Sequence, residues 1–397
     1  MKHTDSLISR GMIAVMIAQF ISALADNALL FAAIALLKAD MAPSWQIPLL
    51  QEFFVIAYII LAPFVGPFAD SLPKGRVMLI ANTMKFLGAA SMLAGLHPLL
   101  AYGMVGLGAA AYSPAKYGIL AEMVSSDKLV KANSLMEGST IIAILLGAVL
   151  GGLLADNWLD AALYIVAGCY LLAAAANLLI PRLAPSHPVE TFVPMVLIKD
   201  FLQATRKLMS NSDARFSIIC SSIFWGAGST LRFLLVAWVP IALNITDLST
   251  PANLSGAVAI GVAIGAIAAA RYVTLHTINL ALPAGVLIGL LIVGFAFSSN
   301  LYMAAIWLIL IGCCGGFYVV PLNALLQERG HHSVGAGHAI AIQNLFENFC
   351  MLIMMGFYIL LSRQQMPVVP ATVAIGLLVF LSIGLLAWLR LRSVRII

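Results

Sequence analysis

The sequence predicts an all-α polytopic membrane protein with twelve spans, and three observations carry that expectation. Of its 397 residues, 62% are hydrophobic and only 9% charged, with a mean hydropathy of +1.03. Soluble domains are roughly half apolar and about a quarter charged. The apolar residues fall into runs of about 20, the length a helix needs to cross the hydrocarbon core of a bilayer. The short alternating strands of a membrane β-barrel are absent.

The spans lie at about 11–37, 48–69, 76–96, 99–121, 131–155 and 159–181, then 213–243, 253–274, 278–297, 300–326, 335–361 and 368–389. A polar segment, 182–212, separates the two sets of six. The first run, which ends in the small residues Ser22-Ala23-Leu24-Ala25, looks like a cleavable signal. Apolar residues continue through Leu37, so the whole run reads as an uncleaved first helix. The five cysteines all fall inside spans and predict neither a disulfide framework nor a metal site.

Lysine and arginine set the expected orientation. Sixteen lie on the side that holds both termini and the 182–212 segment, only Lys38 and Arg363 lie opposite, and Lys85, Lys116 and Arg232 lie within spans. Both termini and the linker are therefore expected in the cytoplasm. The basic net charge of +5 follows from this bias and does not call for a nucleic-acid partner.

Six spans, a linker and six more suggest duplicated halves, 1–181 and 213–397. Span 5 carries Asn133-Ser134-Leu135-Met136-Glu137 and span 11 carries Gln343-Asn344-Leu345-Phe346-Glu347. Span 4 has Pro114 with Lys116 two residues on, and span 10 has Pro321 with Asn323. Proline to glutamate is 23 residues in one half and 26 in the other.

Asp26 and Asn27 stand side by side in the middle of the first span. A carboxylate at that depth is costly unless it faces a polar cavity or a partner. It marks either a binding site or a helix-packing contact. The other charges within spans are Lys85, Lys116 and Arg232 on the basic side and Glu52, Glu137 and Glu347 on the acidic side. Asp26 and Arg232 occupy equivalent spans at similar depth. They form either a binding pair or a fixed ion pair. Lys116 follows a helix-bending proline and can hold a phosphate or snorkel to the interface. Glu137 and Glu347 are read either as an inner gate, pairing with Lys116 or Lys85, or as fixed interdomain contacts.

The loop Gly66-Pro67-Phe68-Ala69-Asp70-Ser71-Leu72-Pro73-Lys74-Gly75-Arg76 resembles the loop 2–3 signature of the major facilitator superfamily. The second copy has eroded to Ala269-Ala270-Arg271-Tyr272. The resemblance implies that Asp70, Lys74 and Arg76 latch one state of a transport cycle. The first span, the run Ala62-Pro63-Phe64-Val65-Gly66, the segment Ala110-Ala111-Tyr112-Ser113-Pro114-Ala115-Lys116-Tyr117-Gly118-Ile119-Leu120 and Lys128-Leu129-Val130-Lys131-Ala132-Asn133 narrow it further. Together they closely resemble the lysophospholipid transporter branch of that superfamily.

That resemblance implies two pseudo-symmetric six-helix bundles in the bacterial inner membrane, working by alternating access. The cargo implied is lysophosphatidylethanolamine or lysophosphatidylglycerol, moved from the outer to the inner leaflet. The implied functional partner is a cytoplasmic acyltransferase/acyl-carrier-protein synthetase that reacylates the product. No cofactor is expected. Asp26, Asn27, Arg232, Lys116 and Tyr112 are the expected substrate ligands.

The rival reading is a proton-coupled drug or metabolite exporter. Gly138, Gly147 and Gly151 match an antiporter glycine spacing, although Gly152 stands where that signature has proline. An enzyme is not expected: no Gly-x-Ser-x-Gly elbow and no His-Glu-x-x-His is present.

Overall fold

A computed structural model describes residues 9–124, 126–181, 193–334 and 336–394. Among them are thirteen α-helices, two 3-10 stretches and no strand. The first half holds α1 (Arg10–Ala39), α2 (Leu49–Ser71), α3 (Lys74–Leu93), α4 (Pro98–Met123), α5 (Ser126–Asn157) and α6 (Leu159–Leu178). A shorter helix, α7 (Pro194–Ser210), occupies the polar segment between the halves. The second half holds α8 (Ser212–Leu243), α9 (Ser249–Tyr272), α10 (Leu282–Ala296), α11 (Leu301–Ser333), α12 (Ala336–Arg363) and α13 (Val368–Val394).

Local chemistry explains the ends. Ser9 caps α1 by accepting from the Met12 amide at 3.2 Å. Asn211 caps α8 by accepting from the amides of Asp213 and Ala214, both at 3.0 Å, and Asn300 does the same for α11 through Met303 at 2.9 Å. Asn244, with φ +56°, closes α8 in the left-handed region that asparagine tolerates. Pro98 opens α4, where its missing N–H has no cost.

Ten of the long helices are apolar and long enough to span a bilayer; α3 and α4 are long enough but more polar. Asn82 and Lys85 in α3, and Ser113, Pro114 and Lys116 in α4, cause the shortfall. All but Ser113 and Pro114 are among the buried polar groups of the chain. The protein is thus a multi-pass membrane protein in which α3 buries Asn82 and Lys85 and α4 buries Lys116.

The span at 278–297 differs from its expectation. A 3-10 stretch, Leu275–Ala281, precedes α10 and is opened by a reciprocal cap between Thr274 and Thr277. Pro283 sits in the first turn of α10, where proline is tolerated.

The chain forms two compact units, Met1–Met41 with Phe53–Gln203, and Ala42–Glu52 with Ala204–Ile397. The first unit's core at one end is Met12, Val15, Val77, Met78, Ala81, Tyr112, Ile119 and Leu120, drawn from α1, α3 and α4. In that unit α1 and α5 touch through their backbones. A side chain at Gly147 would overlap the Leu24 carbonyl, and one at Gly151 would overlap Ala28. Gly138, the third member of the glycine spacing, faces open space among the described residues.

In the second unit α9 and α11 make a still closer seam. Side chains at Gly261, Gly265, Gly312 or Gly316 would each run into a carbonyl of the facing helix. The grouping of residues 42–52 with this unit departs from the expected division at the linker. Trp45 lies under the Arg363 guanidinium, 5.6 Å from ring centre to charge.

Candidate functional site

Asp26 is the centre of a polar cluster inside the first unit. Lys85 on α3 donates to its Oδ2 at 2.7 Å, and Tyr170 on α6 donates to Oδ1 at 2.8 Å. The Lys85 ammonium also donates to Ser22 Oγ at 3.0 Å, and Ser22 donates onward to Asn82 Oδ1 at 2.7 Å. The same ammonium lies 4.9 Å from the ring centre of Tyr112 and 5.9 Å from that of Tyr170. Lys85 is only 2% exposed whereas Asp26 is 22% exposed, so the carboxylate is the face of the pair that a solute can reach.

Helix packing sets this geometry. Gly108 on α4 lies against the aliphatic stem of Lys85, and a side chain there would overlap the Ala81 carbonyl as well as that stem. The stem is thereby steered toward α1. The Tyr112 hydroxyl is buried beside Asn82. Asn27 donates to the Ala23 carbonyl one turn back at 2.9 Å.

A second polar group joins α1, α4 and α5. Gln19 donates to Thr140 Oγ1 at 2.9 Å, and Lys116 Nζ reaches the same oxygen at 3.5 Å. Lys116 is buried and lies 4.5 Å from the centre of the Tyr117 ring. Thr140 in turn donates to the Met136 carbonyl at 2.8 Å.

The second unit has a counterpart on α11 and α12. Gln343 donates to Asn323 Oδ1 and to Glu347 Oε1, each at 2.7 Å. Asn323 stands where the repeat has Lys116, and Glu347 where it has Glu137. Arg232 lies midway along α8, partly buried, in this second unit. At the other end of α8, Asp213 receives Arg329 at 2.9 Å and Arg390 at 2.9 Å, tying α8, α11 and α13.

Of the expected ligands, the structure brings Asp26 and Tyr112 together, through Lys85. Lys85, one of the two lysines read as alternative partners for Glu137 or Glu347, holds Asp26, because α1 and α3 both pack on α6 and turn these side chains toward each other. Lys74 opens α3 buried at 3% exposure, donating to the Ala69 carbonyl at 2.8 Å with Glu122 at 3.9 Å. Arg76 is exposed. The side chains of Asp70 and Glu137 lie outside the described residues.

Sequence reasoning did not reach Tyr170, Ser22, Thr140 or Glu122. Tyr170 had a signal: it is a phenol amid an alanine-rich span, and a buried phenol needs an acceptor. No group of three or more histidine, cysteine, aspartate or glutamate side chains is arranged for a metal among the described residues.

The comparisons with known proteins agree with this architecture. Residues 15–355 match the family model of the Major Facilitator Superfamily. The lysophospholipid transporter LplT of Enterobacter sp. (strain 638) is 56% identical over 394 residues, covering 98% of this chain and 99% of the relative. LplT of Escherichia coli O1:K1 / APEC is 55% identical over 390 residues, covering 98% of each chain. Among solved structures, the nucleoside transporter NupG superposes with a TM-score of 0.71 at 12% identity, covering 95% of this chain and 97% of that one. A bacterial homologue of the human lysosomal transporter Spinster gives 0.70 at 13% identity over 96% of each chain. With twelve long helices, an internal repeat and a family model spanning most of its length, the chain belongs to the Major Facilitator Superfamily.

Proposed function

We propose that this protein is a lysophospholipid transporter of the bacterial inner membrane. It moves lysophosphatidylethanolamine and lysophosphatidylglycerol from the outer to the inner leaflet. The observation that carries this reading is the 55–56% identity, end to end, with transporters named for that cargo.

The site suits a head group with a phosphate and an amine. Asp26 has one oxygen on Lys85 and the other on Tyr170. A carboxylate offers about four acceptor positions, so two remain for an incoming ammonium or glycerol hydroxyl. Lys116 and Arg232 supply cations for the phosphate, Arg232 through two parallel hydrogen bonds. Asn27 and Tyr112 add neutral polar contacts. Lys85 has a holding role: it keeps Asp26 aimed.

Transport proceeds by alternating access, with residues 1–181 and 213–397 as the moving halves and 182–212 as the connector. Glu137, Glu347, Asp70, Lys74 and Arg76 form contacts that are made in one state and broken in another. Both termini and the connector are cytoplasmic, as the lysine and arginine bias requires. The product is consumed in the cytoplasm by an acyltransferase/acyl-carrier-protein synthetase, which draws net flow inward. The protein itself does no covalent chemistry.

The test is uptake of labelled lysophosphatidylethanolamine into spheroplasts by the parent, Asp26→Asn and Arg232→Ala, at matched membrane abundance. The parent is expected to transport and both variants to lose at least tenfold, the scale of one charge-assisted bond of about 1.5–3 kcal/mol. Full uptake by both variants removes these residues from the site. No uptake by the parent favours a proton-coupled exporter.

A further inference from the structure

The head-group reading leaves the acyl chain without a place, and the first unit contains one. A cavity of about 370 Å³ opens beside α1 and α5, walled by Met16, Ile17, Phe20 and Ile21 with Ser139 opposite. These four α1 residues recur one helical turn apart and make one apolar face. The volume lies within the range of pockets that hold organic ligands, about 300–1,000 Å³.

The groove is open along one side, and it differs from an ordinary lipid-facing surface in its one polar wall atom, Ser139 Oγ, which is buried without a hydrogen-bond partner among the described residues. Buried hydroxyls are normally satisfied, so an orphan at a cavity wall points to a missing ligand group. The next residue, Thr140, is the oxygen on which Gln19 and Lys116 converge. An unpartnered hydroxyl therefore stands at the wall of an otherwise apolar groove.

We propose that this α1–α5 groove holds the single acyl chain of the transported lysophospholipid, with Ser139 bonding its ester or glycerol oxygen and Lys116 its phosphate. The proposal rests on the lysophospholipid reading above. It makes α1 a shared element, with Asp26 serving the head group and Met16 to Ile21 the tail.

The experiment compares uptake of palmitoyl- and hexanoyl-lysophosphatidylethanolamine by the parent and by Ile17→Trp, which narrows the groove. Excluding even two methylenes lowers the ratio of palmitoyl to hexanoyl uptake by about tenfold. A ratio equal to that of the parent overturns the groove assignment. Absence of uptake of either lipid by the parent overturns the lysophospholipid reading instead.

A second measurement needs no variant. A lysophosphatidylethanolamine with a diazirine at the end of its chain is photolysed on the parent protein, and the labelled peptides are sequenced. Labelling within Met16–Ile21 that unlabelled lysolipid competes away is the expected result. Labelling elsewhere only, or equal labelling by a diacyl phosphatidylethanolamine probe, overturns the proposal.

Discussion

Lys85 is the residue on which the site's electrostatics turn. Its ammonium is buried, and Asp26 at 2.7 Å neutralises it. Removing one member of such a pair leaves an unpaired charge, at a cost of about 3–5 kcal/mol, while removing both can be nearly neutral. Lys85→Met is therefore expected to unfold well below the parent in detergent, and Lys85→Met with Asp26→Asn to recover most of the loss. Thermal unfolding followed by a thiol-reactive dye that reaches the buried Cys220 only on unfolding reads both. Equal losses in the single and double variants would mean that the pair is not coupled. Tyr170→Phe deletes one bond to the carboxylate, worth about 1.5–3 kcal/mol, and is expected to lower transport about tenfold with little change in abundance.

At this scale the sequence was half legible. Asp26 stood out because a carboxylate in an apolar run needs a reason. Its partner did not, because Lys85, Lys116 and Arg232 were all cations within spans, and sequence gives depth along a helix without its rotation. Gly108, which steers the Lys85 stem, had no signal at all.

Among elements, the glycine seams separate packing from signature. Gly265 and Gly316 bring α9 and α11 into backbone contact. Gly316→Leu forces those helices apart and is expected to abolish the monodisperse peak in size-exclusion chromatography. Gly138→Ala enters open space in α5. It should leave the peak intact and raise stability by up to about 1 kcal/mol, the gain in helix propensity. A loss of folded protein from Gly138→Ala would show that this face is packed. Pro98, Asn211 and Asn300 set helix starts in the structure. The break at 275–281 was not readable in the sequence: the expected span began at 278, inside this stretch, because Ile278, Leu280 and Ala281 run on into the apolar α10.

For the whole molecule, composition carried the fold class. Twelve crossings follow from run lengths, and the repeat survives at Pro114/Pro321 and Glu137/Glu347. What composition did not foretell is that the halves diverged in chemistry. One buries an ion pair around Asp26, and the other an amide–carboxyl chain through Gln343. The orientation is open to direct measurement. In a background with the five native cysteines replaced, Met41→Cys and Met195→Cys are both exposed positions. A membrane-impermeant maleimide is expected to label Met41→Cys in intact spheroplasts and Met195→Cys only after permeabilisation. The reverse pattern would invert the topology.

The Asp26–Lys85 pair also constrains how the chain is made. Asp26 leaves the ribosome 59 residues ahead of Lys85 and 144 ahead of Tyr170. At about 5–20 residues per second, α1 waits several seconds for its counter-charge. During that interval α1 lacks both of the partners that hold Asp26 in the folded unit. A nascent chain arrested after α2 is therefore expected to be cut by proteases more readily than one arrested after α6, which already carries both partners.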